Sequence, residues 1–512
     1  MKVRTFAVVA PVLALASMAW DAAPASRKNP GWNLSALPMI AKVDRRFQSY
    51  NIEMVEVTGG RFWAPYGGPP EEVYRQRPPI DLANPRLRRI ASLLGPAYVR
   101  ISGTWANNTY VPLEGEAMAG PPPGFKQVLG RDQWRSVIAF SRAVDAPIIT
   151  SFAVSAGTRD AAGRWQTDQA QRLLDLTRAA GGKLAGAEFF NEPNLPSLAG
   201  VPAGYNEADY LREFAVFHDW ARRAAPEMKI LGPGSVGGAI VDGKVPANAS
   251  GALNSDSSQT LIGGTKGKVD AVSYHFYGSV SQRCAFLNIG TAQKDEALSP
   301  AWLDKTLRDQ AFFADLRDRF EPGKPLWLTE TAQAACGGSP WASSFLDTFR
   351  YLNQLGVLAQ RNVQVVMHNT LAASDYALID GDTLEPRPSF WAAVLWRRTM
   401  GQVVLASPPV TREGLRIFAH CLPDSRTGIG LLAINTGTAA ADLPITARGT
   451  SWTLRAVPLD SRKLLINGRE PALAASGQIS GLAGRSFAKG LIVPAHAIVF
   501  ARIAGISNPA CR

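Results

Sequence analysis

The sequence predicts an α/β chain: a (β/α)8 TIM barrel followed by a C-terminal antiparallel β-sandwich domain. Two observations predict the barrel. Eight short apolar runs, at 48–54, 97–101, 148–154, 185–190, 229–231, 269–274, 326–329 and 363–367, alternate with longer amphipathic stretches. Each run is apolar on both faces, as a strand must be when helices cover a parallel sheet. A third observation predicts the second domain. After about residue 398 helical periodicity fades, and short alternating strands separated by Gly, Pro and Asn turns take over.

The helical stretches lie where barrel alternation requires them, at 134–144, 169–178, 208–223, 306–319 and 343–358. The segments 117–125 (AMAGPPPGF) and 234–264 read as long surface loops near a working face. A doubly wound sheet is disfavoured, because no GxGxxG follows an early strand. In the second domain the strands are 415–420, 430–435, 452–458 and 492–500, and Asn467-Gly468 is a strong hairpin signal. The expected division is a signal peptide at 1–25, a barrel at 43–397, and a sandwich built from 26–42 plus 398–512.

With 46% hydrophobic and 19% charged residues, the composition is that of a globular chain. Lys2 and Arg4 precede an apolar run and a small-residue cleavage pattern, Ala23-Pro24-Ala25, which predicts a secreted or periplasmic protein. That run is too short to span a bilayer, so no stable membrane insertion is expected. The formal net charge is +12; residues 1–25 hold two positive and one negative charge, so +11 remains without them. Such a surface favours polyanions, although an indifferent solvated face has the same composition. No zinc-finger, RNP or basic-zipper pattern supports nucleic acid. Five scattered histidines and four cysteines form no metal signature, so neither a metal nor an organic cofactor is expected.

The four cysteines allow three pairings. Cys421 and Cys511 both lie in the C-terminal domain, where a bond would fasten the tail to an early strand. Cys284 and Cys336 are then the remaining pair.

On a (β/α)8 barrel the working face is at the C-terminal ends of the strands. Glu192 follows the fourth strand in AEFFNEPN (187–194), and Glu330 ends the seventh in PLWLTET (325–331). Two carboxyl groups with unequal proton affinities suit sugar-linkage hydrolysis: one protonates the departing oxygen, the other attacks the anomeric carbon or directs water. A lone glutamate at a strand end more often makes a loop salt bridge, and only the flanking residues change that balance. Asn191 is placed to bind a sugar 2-hydroxyl. His275 and Tyr277, in YHFYG at the end of the sixth strand, are candidates to orient the site and to hydrogen-bond the nucleophile. His368, Trp63, Trp105 and Tyr110 are candidate cleft residues, with ordinary packing as the alternative. Arg61, Arg75 and Arg77 are candidate attractors of acidic chains, with plain surface charge as theirs.

The ordered set AYVRISGT (97–104), AEFFNEPN (187–194), VSYHFYG (272–278), LTETAQAACGG (328–338), SDYALID (374–380), PSFWAAVLWRRTMG (388–401) and LIVPAHAIVF (491–500) resembles the heparanase and β-glucuronidase family of retaining glycoside hydrolases, and most closely its bacterial heparanases. The resemblance implies that Glu192 is proton donor and recycled base and that Glu330 is nucleophile. It implies sugar contacts from Asn51 and Glu53 at the end of the first strand and from Thr104 after the second. This chain reads RISGT where the mammalian enzymes resemble RFGGT, so the Thr104 contact is the least secured. A uronic carboxylate would be met by backbone amides of Gly337 and Gly338 with Tyr376. The implied activity is endo-β-glucuronidase action on heparan sulfate, an acidic polysaccharide partner, by a monomer. Exo-acting release of terminal glucuronic acid, or noncatalytic polysaccharide binding, are the alternatives.

Overall fold

The computed structural model describes residues 31–67, 72–237, 255–288, 290–410, 412–474 and 477–512. The expected signal peptide, and the glycosylation-type motif at Asn248, lie outside the described residues.

Eight parallel strands close into a barrel. They are β1 (Gln48–Glu53), β2 (Val99–Ser102), β3 (Ile148–Thr150), β4 (Leu184–Glu188), β5 (Lys229–Val236), β6 (Ala271–Tyr277), β7 (Leu326–Ala332) and β8 (Val363–His368). Each is followed by a helix: α1 (Pro85–Ser92), α2 (Arg131–Ala143), α3 (Asp168–Ala179), α4 (Glu207–Ala224), α5 (Ser255–Gly264), α6 (Lys305–Phe320), α7 (Phe345–Gln360) and α8 (Pro388–Thr399). All eight expected strands are present. The expected loop at 234–264 is not one loop, because β5 runs on to Val236 and 255–264 is helical.

The barrel interior is layered. An apolar plug of Ile149, Leu231, Ala271, Trp327, Val365 and Met367, with Tyr98 against it, fills the lower end. Strand side chains repeat every two residues, so the next layer up from Tyr98 and Trp327 is Arg100 and Thr329, and His275 lies above Ala271. Those upper positions are polar, and they sit at the working end.

In the second domain an eight-stranded sheet includes β9 (Val403–Leu405), β10 (Leu415–Cys421), β11 (Ile429–Asn435), β12 (Gly449–Arg455) and β13 (Ala497–Ile503). The N-terminal strand Met39–Lys42 pairs antiparallel with β9 and joins the chain's two ends. One face of the sheet, with Phe418, Leu432, Ile434 and Phe500, belongs to the core shared with the barrel helices. Phe418 approaches Gly356 of α7 so closely that a Cβ there would lie 2.6 Å from its ring. The other face, with Ile417, Ala419 and Leu431, packs against a ribbon formed by Ala441–Leu443 and Leu491–Val493, and against the tail. The sandwich is therefore lopsided, its second sheet reduced to two strands. The expected strand 492–500 is broken into Leu491–Val493 and β13, and the strand expected at 452–458 ends at Arg455. Asn467 and Gly468 both have positive φ, 52° and 82°, as a tight hairpin turn requires.

Two disulfides are present, Cys421–Cys511 and Cys284–Cys336. The first ties β10 to the tail; the second ties the loop after β6 to the loop after β7.

Candidate active site

The polar upper layer of the barrel is organised around Arg100, in the middle of β2, with a side chain 1% exposed. Its Nε and Nη2 donate to Glu188 Oε2 at 3.0 and 2.8 Å, its Nη1 to Glu330 Oε2 at 2.8 Å, and its Nη2 to Asn191 Oδ1 at 2.8 Å. Three strands thus meet on one guanidinium, whose planar fork allows several donations at once.

Glu330 owes its inward position to a register slip. Between β6 and β7 the pairing passes from Tyr274↔Leu328 to His275↔Glu330, leaving Thr329 as an extra residue. Ordinary alternation would send Thr329 and Glu330 to opposite faces; the bulge re-aims them. Thr329 Oγ1 donates to Glu188 Oε1 at 2.7 Å, while Glu330 Oε1 accepts from Tyr277 OH at 2.7 Å. Glu192 lies beyond β4 with φ +53°, a left-handed conformation that costs a residue with a side chain about 1–2 kcal/mol. Its neighbours hold it there. Asn107 exchanges two hydrogen bonds with the Asn191 backbone, at 3.0 and 2.9 Å, and Asn194 exchanges two with Val236, at 2.8 and 3.1 Å. Asn107 is fully buried, so its Asn-x-Thr motif is structural.

His275 joins the carboxyl groups. Its Nδ1 lies 3.1 Å from Glu192 Oε1 and 3.9 Å from Glu330 Oε2, and its Nε2 lies 3.8 Å from Glu188 Oε1. Ligand-type atoms of Glu192, His275 and Glu330 all fall within 4.8 Å of one another. That trio would suit a metal ion, but Arg100 already donates to Glu330 and supplies the positive charge a metal would bring.

The electrostatics divide four carboxyl groups into two kinds. Burial alone would raise Glu188, yet the charge of Arg100, the nearby His275 and the hydrogen bond from Thr329 outweigh it and hold Glu188 well below the carboxylate range. Burial would also raise Glu330, but the cations His275 and Arg100, with the Tyr277 hydroxyl, keep it low. For Glu192, burial pushes up, the His275 hydrogen bond pulls against it, and the Glu330 charge adds to the rise. Burial raises Glu53 too, again helped by Glu330. His275 would be lowered by burial, but the Glu330 charge, the nearby Glu188 and the hydrogen bond to Glu192 raise it to about 9. The cluster sets two cations, Arg100 and His275, against two carboxyl groups held low, Glu188 and Glu330, while Glu192 and Glu53 are the two shifted toward the protonated form. Arg100 Nη2 lies 3.2 Å from His275 Nε2, so the proton on that nitrogen must point toward Glu188.

The remaining expected residues gather round this centre. Asn51 Nδ2 donates to Thr329 O at 3.2 Å. The amide of Asn369 donates to Glu53 Oε1 at 3.0 Å, to Tyr277 OH at 3.0 Å and to Tyr376 OH at 3.2 Å. Glu53 Oε2 lies against Gly103, where a Cβ would come within 1.5 Å of it. Thr104 follows, half-buried. Gly337 and Gly338 form a left-handed turn, φ +82° at each. The Gly338 N–H already donates to Ala334 O at 3.1 Å, so of the two expected amides it is the engaged one. Three expectations outside this set fail. His368 is an internal prop whose Nε2 donates to Tyr376 O at 2.8 Å, and burial lowers it to about 3. Tyr110 is buried, its hydroxyl bonded to Glu116 and Arg172. Arg75 and Arg77 are both drawn to Asp382.

No family model matches the sequence. It is 26% identical to heparanase-like protein 1 of Arabidopsis thaliana over 414 residues, 77% of this chain and 71% of that protein. It is 26% identical to heparanase of Mus musculus over 394 residues, 66% and 68% of the two chains. The hyaluronoglucuronidase of Hirudo nipponia is 23% identical over 437 residues, 76% and 83%. Over most of its length the chain is thus similar to heparanases and glucuronidases, and it is a glycoside hydrolase. Among solved structures, a 4-O-α-L-rhamnosyl-β-D-glucuronidase from Fusarium oxysporum aligns with a TM-score of 0.62 at 13% identity, over 91% of this chain and 99% of that one. An α-L-arabinofuranosidase from Thermotoga maritima aligns with a TM-score of 0.62 at 14% identity, over 91% and 98%. At that identity the likeness is one of fold.

Sequence reasoning missed Arg100, Glu188 and Asn369 in this glycoside hydrolase. For the first two the signal was available. A charged residue within a strand buried on both faces must have a partner, and two such strands point to each other. Asn369 carries no such mark.

Proposed function

We propose that the chain is a retaining endo-β-glucuronidase that cleaves glucuronic acid linkages inside heparan sulfate-like glycosaminoglycans. The observation that carries this reading is the pairing of Glu192 with Glu330. Their carboxyl oxygens approach within 4.8 Å, which is nearer the short spacing of a retaining pair than the wider one of an inverting pair, and one group is raised and the other lowered.

The roles follow from the contacts. Glu330, ionised and steadied by Tyr277 and Arg100, attacks the anomeric carbon and forms a glycosyl ester. His275 occupies Glu192 Oε1, so the acidic proton resides on Oε2 and passes from there to the leaving oxygen. The resulting Glu192 carboxylate then takes a proton from the water that breaks the ester, restoring the enzyme. Asn191 gives its carbonyl oxygen to Arg100 and keeps its NH2 to donate to the sugar 2-hydroxyl. Asn51, Glu53, Thr104 and Tyr376 line the sugar subsite, and the N–H of Gly337 is the amide offered to a uronic carboxylate. The substrate class rests on the relatives' names and on the +12 charge of the sequence. Two disulfides suit an exported protein, and among the described residues no helix is long and apolar enough to cross a membrane.

One observation favours exo action instead. The hairpin Gly60–Trp63 with Tyr74–Arg77 lays Trp63 against Gly337, where a Cβ would meet the Trp63 Cβ at 2.7 Å, walling that side of the turn. Digestion of size-defined heparan sulfate oligosaccharides separates the readings: internal fragments support endo cleavage, and terminal glucuronic acid alone supports exo cleavage. Absence of any cleavage, there and on an aryl β-glucuronide, refutes both.

A further inference from the structure

The loop at 457–463 in the C-terminal domain reaches back over the working face of the barrel. Ser461 O accepts from the Phe345 N–H at 2.8 Å, at the start of α7, and Asp460 pairs with Lys294 of the loop after β6. The next residue, Arg462, brings Nη2 to 3.8 Å from Asp375 Oδ1.

Asp375 does not need it. Its side chain is 2% exposed, and its Oδ2 already accepts from Arg283 Nη2 at 2.5 Å and from the Tyr66 N–H at 3.3 Å. A third guanidinium, Arg387, braces the carbonyls of Ser374 and Asp375 at 2.8 and 2.9 Å and meets Asp380 Oδ2 at 3.3 Å. Three cations therefore share two carboxylates, leaving one positive charge uncompensated within the group. Arg283 and Arg387 are 5% and 11% exposed, whereas Arg462 is 57% exposed and so is the one open to solvent. An ion pair that long and that exposed adds little to stability, so the fold supplies no reason for an arginine there.

Its position supplies one. The Asp375 N–H donates to Gly337 O at 3.0 Å, and the adjacent Tyr376 reaches the Asn369 amide that also serves Glu53 and Tyr277. Arg462 thus stands one ion-pair contact and one hydrogen bond from the glycine turn.

We propose that Arg462 forms an anion subsite, contributed by the C-terminal domain, that binds a sulfate or carboxylate group of the acidic polysaccharide lying in the barrel site. The inference rests on the glycosaminoglycan reading above. Arginine suits the task because its fork matches either oxyanion in two-point contact. The second domain then has a share in substrate recognition as well as in covering the barrel helices.

The test compares the full-length wild type, Arg462→Gln and Arg462→Lys on a heparan sulfate oligosaccharide, its desulfated counterpart and an aryl β-glucuronide. For Arg462→Gln the oligosaccharide KM should rise about threefold to tenfold more than the aryl glucuronide KM, with a weaker salt dependence. Arg462→Lys, which keeps the charge but loses the two-point contact, should fall between the wild type and Arg462→Gln. A rise confined to the sulfated chain identifies sulfate as the ligand; a rise on both chains identifies carboxylate. Equal KM values for wild type and Gln variant overturn the subsite, as does an equal loss on the aryl glucuronide. A wild type that cuts none of the three substrates would instead refute the hydrolase reading itself.

Discussion

Arg100→Met removes the one cation that serves three groups at once while keeping much of the side-chain length. In the native site Arg100 makes two hydrogen bonds to Glu188, one to Glu330 and one to Asn191 from a position 1% exposed. Breaking a buried ion pair by removing one partner costs about 3–5 kcal/mol, because the other charge is left buried and uncompensated. The sign of the pH dependence follows from Glu188. In the wild type its folded value is depressed, so its contribution is present above the ordinary carboxylate range and is lost as pH falls through the folded value. Without Arg100, burial dominates and raises Glu188, so the variant folds best with Glu188 protonated and loses stability as pH rises. The gap between the two proteins should thus be widest near neutrality and shrink on acidification. With an unfolding entropy of about 2 cal/mol/K per residue over a barrel of about 350 residues, 3–5 kcal/mol corresponds to a melting shift of about 4–7 °C. Thermal melting of both proteins from about pH 7.5 down to about pH 4.5 measures this, since this window spans the ordinary carboxylate range from above. A variant within about a degree of wild type at neutral pH, or a gap that does not narrow on acidification, refutes the charge balance argued for the site.

The two glutamates should fail differently. Glu330→Gln should lower kcat by about 10⁴-fold or more on every substrate, whereas Glu192→Gln should spare aryl glucuronides with good leaving groups and nearly abolish turnover of oligosaccharides. The kcat/KM profile should be bell-shaped: activity rises as Glu330 ionises below the ordinary carboxylate range and falls as Glu192 loses its proton above it, and Glu192→Gln should erase the alkaline limb. Gly337→Ala would place a Cβ 2.3 Å from Ser374 Oγ at a φ of +82°; it should cost about 1–2 kcal/mol in stability by melting and raise the KM for glucuronides above that for neutral glycosides.

The legible parts of the chain were those whose pattern has one physical cause. Strands buried on both faces gave apolar runs, and all eight were readable. Their ends were not: β5 continues past Leu231 through Gly232-Pro233-Gly234, a run of breakers accommodated by a register slip between Pro233 and Ser235. Helices were missed where the apolar stripe is too short or the polar face is absent. In α1 only Leu87, Ile90 and Ala91 are buried among arginines. In α8 nearly every residue is buried between the barrel and the C-terminal sheet, which removes the polar face. Glu192 and Glu330 stood out because each ends a strand on the working face. Arg100 and Glu188 were absorbed into strands as if apolar, although a charge in such a place is itself the anomaly.

Those two overlooked residues are what make the visible pair usable. Four carboxyl groups packed at one end of a barrel cannot all ionise, and left alone each would be pushed up by burial and by its neighbours. Arg100 and His275 admit two negative charges, and geometry decides which two. Glu188 receives Arg100 twice and Thr329 once; Glu330 receives Arg100 and Tyr277. Glu192, held off in its left-handed turn, receives His275 alone among the described residues, which suits the proton carrier of the proposed mechanism. On the proposed retaining route, once Glu330 has spent its charge on the sugar ester, its repulsion of Glu192 disappears while His275 keeps its hydrogen bond, so the carboxylate left after proton donation is stabilised when it must act as a base. The same contacts therefore favour the acid in the first step and the base in the second, without any side chain moving to a new partner.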